Sequence, residues 1–228
     1  MIPLPNMKKL GAKTDKFDAC IFDFDGTLAN SMWVWEHIDQ YFCQEHGLEL
    51  PGGYDSSVIG MGFEGTAEYF RDKMGLQMTV QECCDEFNRL AYDKYANEVE
   101  LIPGAVEYLD YLADIKMPIA LASSLNEKLL HACFEQHGIS HHFKTISLCD
   151  DYNTHKSEPL IYDVSAKKLG VDPKHCLVFE DIAPGIKSAK SIGMSAVGVL
   201  DENNVGQNTQ EIAEIADVAI RDYYALLP

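Results

Sequence analysis

The sequence predicts an α/β fold, in which a parallel β-sheet carries a small all-helical insertion after its first strand. Phe17 to Phe24 is a short apolar run with β-preferring residues that ends at an Asp-Gly turn, which predicts a buried strand. After Glu100, strand-like and helix-like segments alternate, a pattern typical of βαβ units. Together these two observations indicate a parallel sheet with helices on both faces.

The insertion is predicted from a change of hydrophobic period between the first strand and Glu100. Val34, Ile38 and Phe42 share one helical face, and Thr79 to Glu82 forms a capping box that opens a further helix. No strand pattern interrupts this stretch. We therefore expect residues 31–99 to form a helical cap domain.

The rest of the chain supplies the other elements of the sheet domain. The predicted strands cover residues 118–123, 145–149, 176–179, 195–200 and 217–220, and the predicted helices begin near Pro103, Asn126, Pro159 and after Asp181. We expect an α/β core of residues 17–30 and 100–228. The polar, lysine-rich residues 1–16 are interpreted as an N-terminal tail.

Composition and charge exclude several classes of function. The 228 residues carry a formal net charge of -18, which would repel nucleic acid. The seven cysteines form no CxxC pair, as expected for thiols in a reducing compartment. No secretory signal and no apolar run of membrane-spanning length is present, so we expect a cytoplasmic protein without a membrane partner. The oligomeric state is not indicated, and a monomer is the working expectation.

Polar side chains follow four of the predicted strands. They are Asp23 and Asp25, Ser123 and Ser124, Asp150 and Asp151, and Glu180 and Asp181. In parallel sheets the ligand binds beyond the carboxyl ends of the strands. The pattern therefore predicts one polar site at that edge of the sheet.

The Asp23-Phe24-Asp25-Gly26 segment has the residues needed for phosphoryl transfer. Two close carboxylates repel each other unless a cation is bound or one of them is protonated. One carboxylate can attack phosphorus, and a protonated one can give its proton to the leaving oxygen. Gly26 adds a flexible turn with amide groups near the phosphate. These residues predict phosphoryl-transfer chemistry at the end of the first strand.

Four segments resemble the motifs of the haloacid dehalogenase superfamily in the usual order. Asp23 to Leu28 resembles the first motif, Ser123 the second, Lys156 the third, and Val178 to Asp181 the fourth. The match covers about residues 17–200, and the first and fourth motifs are the specific ones. The helical insertion is similar to the cap of the β-phosphoglucomutase-like subgroup. The resemblance implies a Rossmann-like core with that cap.

The resemblance implies a magnesium site and a division of labour between the first two aspartates. Asp23 would be the nucleophile and a metal ligand, whereas Asp25 would be the general acid and base and give the metal its backbone carbonyl. Asp181 would be a further ligand, and Glu180 would bind directly or through water. Magnesium prefers such oxygen ligands.

The phosphate of the substrate would be held by the remaining motif residues. Lys156 would bind the phosphate and offset carboxylate repulsion. Ser123, with Ser124 and Gly26, would donate hydrogen bonds to the transferring group. The predicted function is a magnesium-dependent phosphatase that hydrolyses a small phosphorylated metabolite through an aspartyl-phosphate.

Two alternatives remain open: a sugar-phosphate mutase and a non-catalytic binding module. In β-phosphoglucomutases a cap histidine and a cap arginine lie where this chain places Trp35 and Phe63. The absence of these two polar groups argues against the mutase. Trp35 and Phe63 are therefore candidates for cap residues that determine specificity. All four motif positions are filled, which argues against the binding module. His141, His142 and His155 lack the spacing of zinc ligands and are interpreted as surface or loop residues.

Overall fold

The computed structural model describes residues 1–50, 62–202, 204 and 206–228, without the side chains of Glu36, Phe63 and Glu64. The chain divides into two compact units. The first, here called the α/β unit, comprises Met1–Asn30 and Glu100–Pro228. The second, here called the helical unit, comprises Ser31–Val99.

The α/β unit is built on a six-stranded sheet in which all neighbouring strands are parallel. Its strands are β1 (Ala19–Phe22), β2 (Ile119–Ser123), β3 (Thr145–Leu148), β4 (Cys176–Glu180), β5 (Ser195–Val199) and β6 (Val218–Ile220). Side by side they follow the order β6–β5–β4–β1–β2–β3. The chain therefore builds one half of the sheet outward from β1 and then returns to build the other half.

Helices connect the strands and form the helical unit. They are α1 (Met32–His46), α2 (Gly62–Met74), α3 (Val80–Asn97), α4 (Ala105–Asp114), α5 (Glu127–His137), α6 (Leu160–Leu169), α7 (Ala183–Ser191) and α8 (Thr209–Ile215). Within the described chain, no helix is long and apolar enough to cross a membrane. The predicted α/β fold class is confirmed.

Both faces of the sheet are buried, which explains why its strands are continuous apolar runs. Successive side chains of β1 point to opposite faces. Ile21 packs in a buried cluster with Val178 and Tyr162, whereas Phe22 lies in an aromatic cluster and stacks on Phe179 with ring centroids 4.2 Å apart. β1 is thus held from both sides, and its carboxyl end is fixed in place.

The first sixteen residues are ordered and are not the expected tail. Ile2–Pro3 pairs in antiparallel fashion with Lys16–Phe17. Leu4 and Met7 are buried, as expected when apolar side chains of this segment pack into the α/β unit. The lysine-rich composition of residues 1–16 gave no indication of this strand pairing and burial.

A short two-stranded ribbon closes the α/β unit where the chain leaves it and returns. Ala29–Asn30 pairs in antiparallel fashion with Glu100–Leu101. The amide of Ile102 donates to the carbonyl of Leu28 at 2.8 Å, beside the ribbon. The segment that follows the first motif is therefore hydrogen-bonded to the segment where the chain re-enters the α/β unit.

The helical unit has its own aromatic core. Phe42, Phe70 and Phe87 are fully buried, and the ring of Phe42 lies 4.7 Å from that of Phe87 and 5.4 Å from that of Phe70. The predicted capping box is present, because Thr79 and Glu82 exchange side-chain and backbone hydrogen bonds at the start of α3. The segments with a helical hydrophobic period thus form helices, and their apolar faces pack together in this core.

Candidate active site

The candidate site lies at the carboxyl ends of β1, β2 and β4, where the strand order reverses. β1 pairs with β2 on one side and β4 on the other, so the chain departs from β1 in opposite directions. Asp23 directly follows β1, Ser123 ends β2, and Glu180 ends β4. A crevice opens at such a switch point in open α/β sheets, and ligands bind there.

Lys156 joins the two acidic motifs. Its ammonium group lies 2.8 Å from Asp23 Oδ1 and 2.8 Å from Glu180 Oε2. All three side chains are buried, with Lys156 only 6% exposed. A lysine is almost never buried without partners, so this pairing indicates that Lys156 belongs to the site and is not a surface residue.

Tyr162 fixes the orientation of the Glu180 carboxylate. Its hydroxyl donates to Glu180 Oε2 at 2.7 Å, and Lys156 Nζ lies 5.2 Å from the centre of its ring. Gly185 makes room for this pair, because a Cβ at that position would come within 2.6 Å of both Glu180 Cδ and the Tyr162 hydroxyl. A glycine at position 185 is therefore required by packing around the Glu180 carboxylate.

Asp181 lies in the same cluster but has fewer partners. Its Oδ1 accepts a hydrogen bond from Thr27 Oγ1 at 3.3 Å, and its buried Oδ2 has no hydrogen-bond partner among the described residues. Gln207 Nε2 donates to the backbone carbonyls of Asp181 at 2.9 Å and Val199 at 3.0 Å. The backbone of Asp181 is thus held firmly while one carboxylate oxygen is left without a donor.

Three of these acids are arranged as a possible metal site. Asp23, Glu180 and Asp181 each offer a carboxylate oxygen, and the three oxygens lie within 4.8 Å of one another. All three side chains are buried, and Lys156 is the cation that contacts two of them. An excess of buried negative charge of this kind favours a bound cation.

The pKa values of the cluster reflect the same excess of negative charge. Burial, reinforced by Glu180 and opposed by Lys156, raises the pKa of Asp23 to about 7. Burial, together with Glu180 and Asp23, raises the pKa of Asp181 well above its usual range. Burial alone would lower the pKa of Lys156, but attraction to Asp23 and Glu180 outweighs burial and raises it. Lys156 is therefore charged at neutral pH.

The turn that carries Asp25 and Gly26 is closed by its own backbone. The carbonyl of Phe24 accepts hydrogen bonds from three amides, those of Thr27, Leu28 and Ala29. Gly26 has a φ of 70° and donates its amide to the carbonyl of Ala29 at 2.9 Å. The N–H of Gly26 is thus used to close the turn, and the predicted role of this turn in phosphate binding stays a prediction.

Asp25 lies two residues beyond the nucleophile candidate. Its side chain is half-buried, in contrast to the buried carboxylates of Asp23 and Asp181. Its carboxylate is not one of the three that cluster as metal ligands. This placement leaves the predicted proton-transfer role and the predicted carbonyl ligand as proposals.

The two serines predicted to bind phosphate differ in exposure. Ser123 is 1% exposed, and its Oγ accepts the amide hydrogen of Leu125 at 3.0 Å. That contact uses a lone pair and leaves the hydroxyl proton for another acceptor. Ser124 is exposed and donates to Cys149 Sγ at 3.3 Å. Ser123 thus places a buried hydroxyl at the end of β2 that can still donate a hydrogen bond.

The two candidate specificity residues belong to the helical unit. Trp35 is half-buried on α1, and its ring lies 5.8 Å from that of Tyr95. Phe63 is in α2, and its side chain lies outside the described part of the chain. Their role in specificity stays a prediction.

Several residues that support the site were not predicted from the sequence. Tyr162 lies in the segment predicted as a helix from Pro159 and was given no role, and Thr27 was treated as part of a motif without a role of its own. Tyr223, fully buried near the C-terminus, donates its hydroxyl to the carbonyl of Thr27 at 2.9 Å.

Comparison with known proteins places the chain in a family. The sequence profile of haloacid dehalogenase-like hydrolases matches residues 20–199. The chain is 34% identical to the Bacillus subtilis (strain 168) protein YhcW over 181 residues, which cover 78% of this chain and 81% of that protein. It is 26% identical over 211 residues to the validoxylamine A 7'-phosphate phosphatase of Streptomyces hygroscopicus subsp. limoneus, covering 90% of this chain and 94% of that one.

Solved structures share the fold at low sequence identity. CbbY from Rhodobacter sphaeroides, solved with phosphate, has a TM-score of 0.76 at 18% identity and covers 92% of this chain and 99% of its own. β-Phosphoglucomutase from Clostridium difficile has a TM-score of 0.70 at 20% identity, with 92% and 93% covered. These structures support the fold, and the profile match extends over all four motifs. The chain belongs to the haloacid dehalogenase-like hydrolase family.

Proposed function

We propose that this hydrolase is a Mg²⁺-dependent phosphatase that cleaves a phosphoric monoester of a small metabolite through an aspartyl-phosphate at Asp23. The observation that carries the proposal is the buried cluster of Asp23, Glu180 and Asp181, with Lys156 between two of the acids. The validoxylamine phosphatase relative supports the substrate class, because its name describes a small phosphorylated compound.

The donor set fits magnesium. The site offers carboxylate oxygens, which this hard ion prefers, and Oδ2 of Asp181 is a buried acceptor with no hydrogen-bond donor in the described part of the chain. Asp23, Asp181 and the backbone carbonyl of Asp25 would hold the ion. Because Glu180 Oε2 already accepts from Lys156 and Tyr162, we assign Glu180 an indirect role through water. When bound, the ion would neutralise charge on the phosphoryl oxygens.

Asp23 is proposed as the nucleophile. Its Oδ1 lies 2.8 Å from the Lys156 ammonium, which favours the ionised carboxylate needed for attack. An oxygen of Asp23 forms a bond to phosphorus as the bond to the ester oxygen breaks. The hydroxyl of Ser123 donates a hydrogen bond to the transferring group, and Lys156 offsets the negative charge there.

Asp25 is proposed as the general acid and base. Its carboxyl gives a proton to the departing ester oxygen, so that an alcohol leaves. Asp25 then takes a proton from water as the water oxygen attacks phosphorus. The bond between phosphorus and Asp23 breaks, inorganic phosphate leaves, and both carboxyl groups return to their starting states.

Hydrolysis is favoured over the mutase reaction by the residues of the helical unit. A mutase must hold the second phosphate of a bisphosphate, which requires polar or cationic groups. The position predicted for the mutase histidine carries Trp35, a half-buried aromatic residue. Water as the acceptor needs no such group, so we propose a phosphatase.

A phosphate-release screen over many phosphorylated metabolites tests this proposal directly. We expect turnover with Mg²⁺ and none with EDTA, and we expect Asp23→Asn to lower turnover by at least about 10³-fold. Asp150→Asn is the matched control, because Asp150 is an exposed carboxylate that follows a neighbouring strand. Full activity of Asp23→Asn would overturn the mechanism.

Two further readouts separate the alternatives. Conversion of glucose 1-phosphate in a coupled assay primed with a bisphosphate would favour the mutase. Absence of turnover by the wild-type chain on every substrate, together with absence of Mg²⁺ binding, would favour a binding module.

A further inference from the structure

A second cluster of metal-binding side chains lies in the α/β unit, on elements other than those of the candidate active site. Asp110 is in α4, and His141 and His142 form most of a single turn of 3₁₀ helix that follows α5. Each offers one ligand atom, and the three atoms lie within 4.8 Å of one another. The sequence predicted two surface histidines here, yet His142 is buried.

His141 presents a nitrogen lone pair outward. Its Nδ1 lies 2.8 Å from the carbonyl oxygen of Gly138. A carbonyl oxygen only accepts, so the ring proton is on Nδ1 and the lone pair is on Nε2. Metal-binding histidines commonly donate their other ring N–H to a backbone carbonyl in this way. The ring is exposed, so its Nε2 is accessible to an ion from solvent.

His142 faces the Asp110 carboxylate from a buried position. The histidine side chain is 2% exposed, and its Nε2 lies 3.3 Å from Asp110 Oδ1. Its Nδ1 is buried and has no hydrogen-bond partner among the described residues. A metal ion binds to the lone pair of an imidazole nitrogen, and Nε2, which faces the carboxylate, is the ligand atom that this placement offers.

The spacing of these groups agrees with that of a tetrahedral centre. Zinc bonds to imidazole nitrogen and carboxylate oxygen are about 2.0–2.2 Å long, which places two ligands of a tetrahedron about 3.3–3.6 Å apart. The observed separation of His142 Nε2 and Asp110 Oδ1 is 3.3 Å. The rings of His141 and His142 lie side by side with centroids 4.0 Å apart, and one ligand nitrogen of each lies within 4.8 Å of the other.

We propose that Asp110, His141 and His142 bind a divalent transition-metal ion of the Zn²⁺ class, with water completing the coordination. Two imidazoles and one carboxylate favour zinc, nickel or copper over magnesium, which prefers oxygen ligands. The site is distinct in chemistry from the all-carboxylate cluster. A bound ion would link α4 to the turn after α5 and stabilise the folded α/β unit.

A zinc titration of the full chain against a chromophoric chelator tests the proposal. Excess Mg²⁺ is kept present to occupy the carboxylate cluster. We expect one Zn²⁺ per chain, and we expect His141→Ala and Asp110→Asn each to weaken it about tenfold or more. Both side chains are exposed, so neither substitution leaves a cavity in the core. His131→Ala is the matched control, because its side chain is 57% exposed and lies outside the cluster.

Histidine nitrogen NMR supplies a readout that does not depend on affinity. Addition of Zn²⁺ should shift the Nε2 resonances of His141 and His142 and leave His131 unchanged. A hydrogen bond between His142 and Asp110 without any metal site predicts no such shift. Absence of zinc binding, equal affinity in wild type and the two variants, or shifts confined to other histidines would each overturn the proposal.

Discussion

Each side of the candidate active site holds a buried carboxylate, but the charges of the two carboxylates are balanced differently. On the lysine side, defined by Lys156, Glu180 and Tyr162, the charged and polar atoms contact one another at 2.7–2.8 Å. On the aspartate side, defined by Asp181, Thr27 and Gln207, a buried carboxylate oxygen has no partner among the described residues. One side carries its own cation, whereas the other requires one.

This difference suggests how the site separates two tasks. The lysine side is preorganised, because Tyr162 and Gly185 fix Glu180, and Glu180 in turn fixes Lys156 beside Asp23. The aspartate side holds the backbone of Asp181 but leaves its carboxylate incompletely bonded. Preorganised charges stabilise a transition state without further rearrangement. An incompletely bonded carboxylate is suited to bind a cation.

Lys156→Met is the substitution expected to have the largest effect on stability and activity. Removal of one partner from a buried ion pair costs about 3–5 kcal/mol of stability, because Asp23 and Glu180 would remain buried without their cation. Phosphate release should also fall by about 10²–10³-fold. Urea denaturation and the phosphate-release assay measure the two effects.

The control for this substitution is Lys167→Met. Lys167 pairs with Asp163 on α6, and its side chain is 72% exposed. Exposed pairs contribute about 0–1 kcal/mol, so we expect almost no change in stability or activity. Equal losses of stability in the two variants would show that the lysine side is not an integrated network.

The two sides also predict how stability depends on pH in the absence of metal. The pKa of Asp23 is raised from 3.8 to about 7, and that of Asp181 is raised as well. The folded state therefore binds protons more tightly than the unfolded state, and stability falls as pH rises from about 4 through about 7. Thermal denaturation in EDTA should show a lower midpoint at about pH 8 than at about pH 5.

Magnesium and Asp181→Asn should both reduce this pH dependence. The ion compensates the ionised carboxylates, so its stabilising effect should be larger at about pH 8 than at about pH 5. The neutral amide in Asp181→Asn removes one carboxylate and should weaken both the decline with pH and the response to Mg²⁺. A midpoint in EDTA that rises with pH would contradict the assignment of excess negative charge to this cluster.

The residues that follow strands were the predictable part of the site, on both of its sides. Asp23, Ser123 and Glu180 follow apolar strand runs, and the carboxyl ends of parallel strands meet at one edge. Lys156 has no such pattern, and only the resemblance to the family indicated its role. The role of Tyr162 was not predictable, because its spacing on α6 is that of a core residue. The hydrogen bond of its hydroxyl to Glu180 depends on the tertiary fold.

The remaining differences have physical causes that a single sequence does not contain. Gly26 was expected to offer its amide to phosphate, but the left-handed turn directs that amide to Ala29. His142 was expected at the surface, yet it packs beneath α4 near Asp110. Each case depends on which backbone or side-chain group lies nearby after folding. Residue type and periodicity do not determine that neighbour.

The smallest expected effect concerns the backbone of the aspartate side and is produced by Gln207→Ala. Its amide links the carbonyls of Asp181 and Val199, and its Oε1 accepts from the amide of Asp201 at 2.8 Å. Loss of these bonds should cost about 1–2 kcal/mol of stability. Because Asp181 would lose its fixed position, the Mg²⁺ concentration for half-maximal phosphate release should rise about tenfold.

Gln210→Ala separates this positioning role from a general effect on the segment. Gln210 is exposed on α8 and bonds Glu214 on the same helix, so its removal should leave the Mg²⁺ requirement unchanged. Adding saturating Mg²⁺ should restore most of the activity of Gln207→Ala, because the carboxylates themselves are intact. If Gln207→Ala lowers stability but leaves the Mg²⁺ requirement at the wild-type value, the residue only ties two loops together. The aspartate side would then be positioned by Thr27 and the strand end alone.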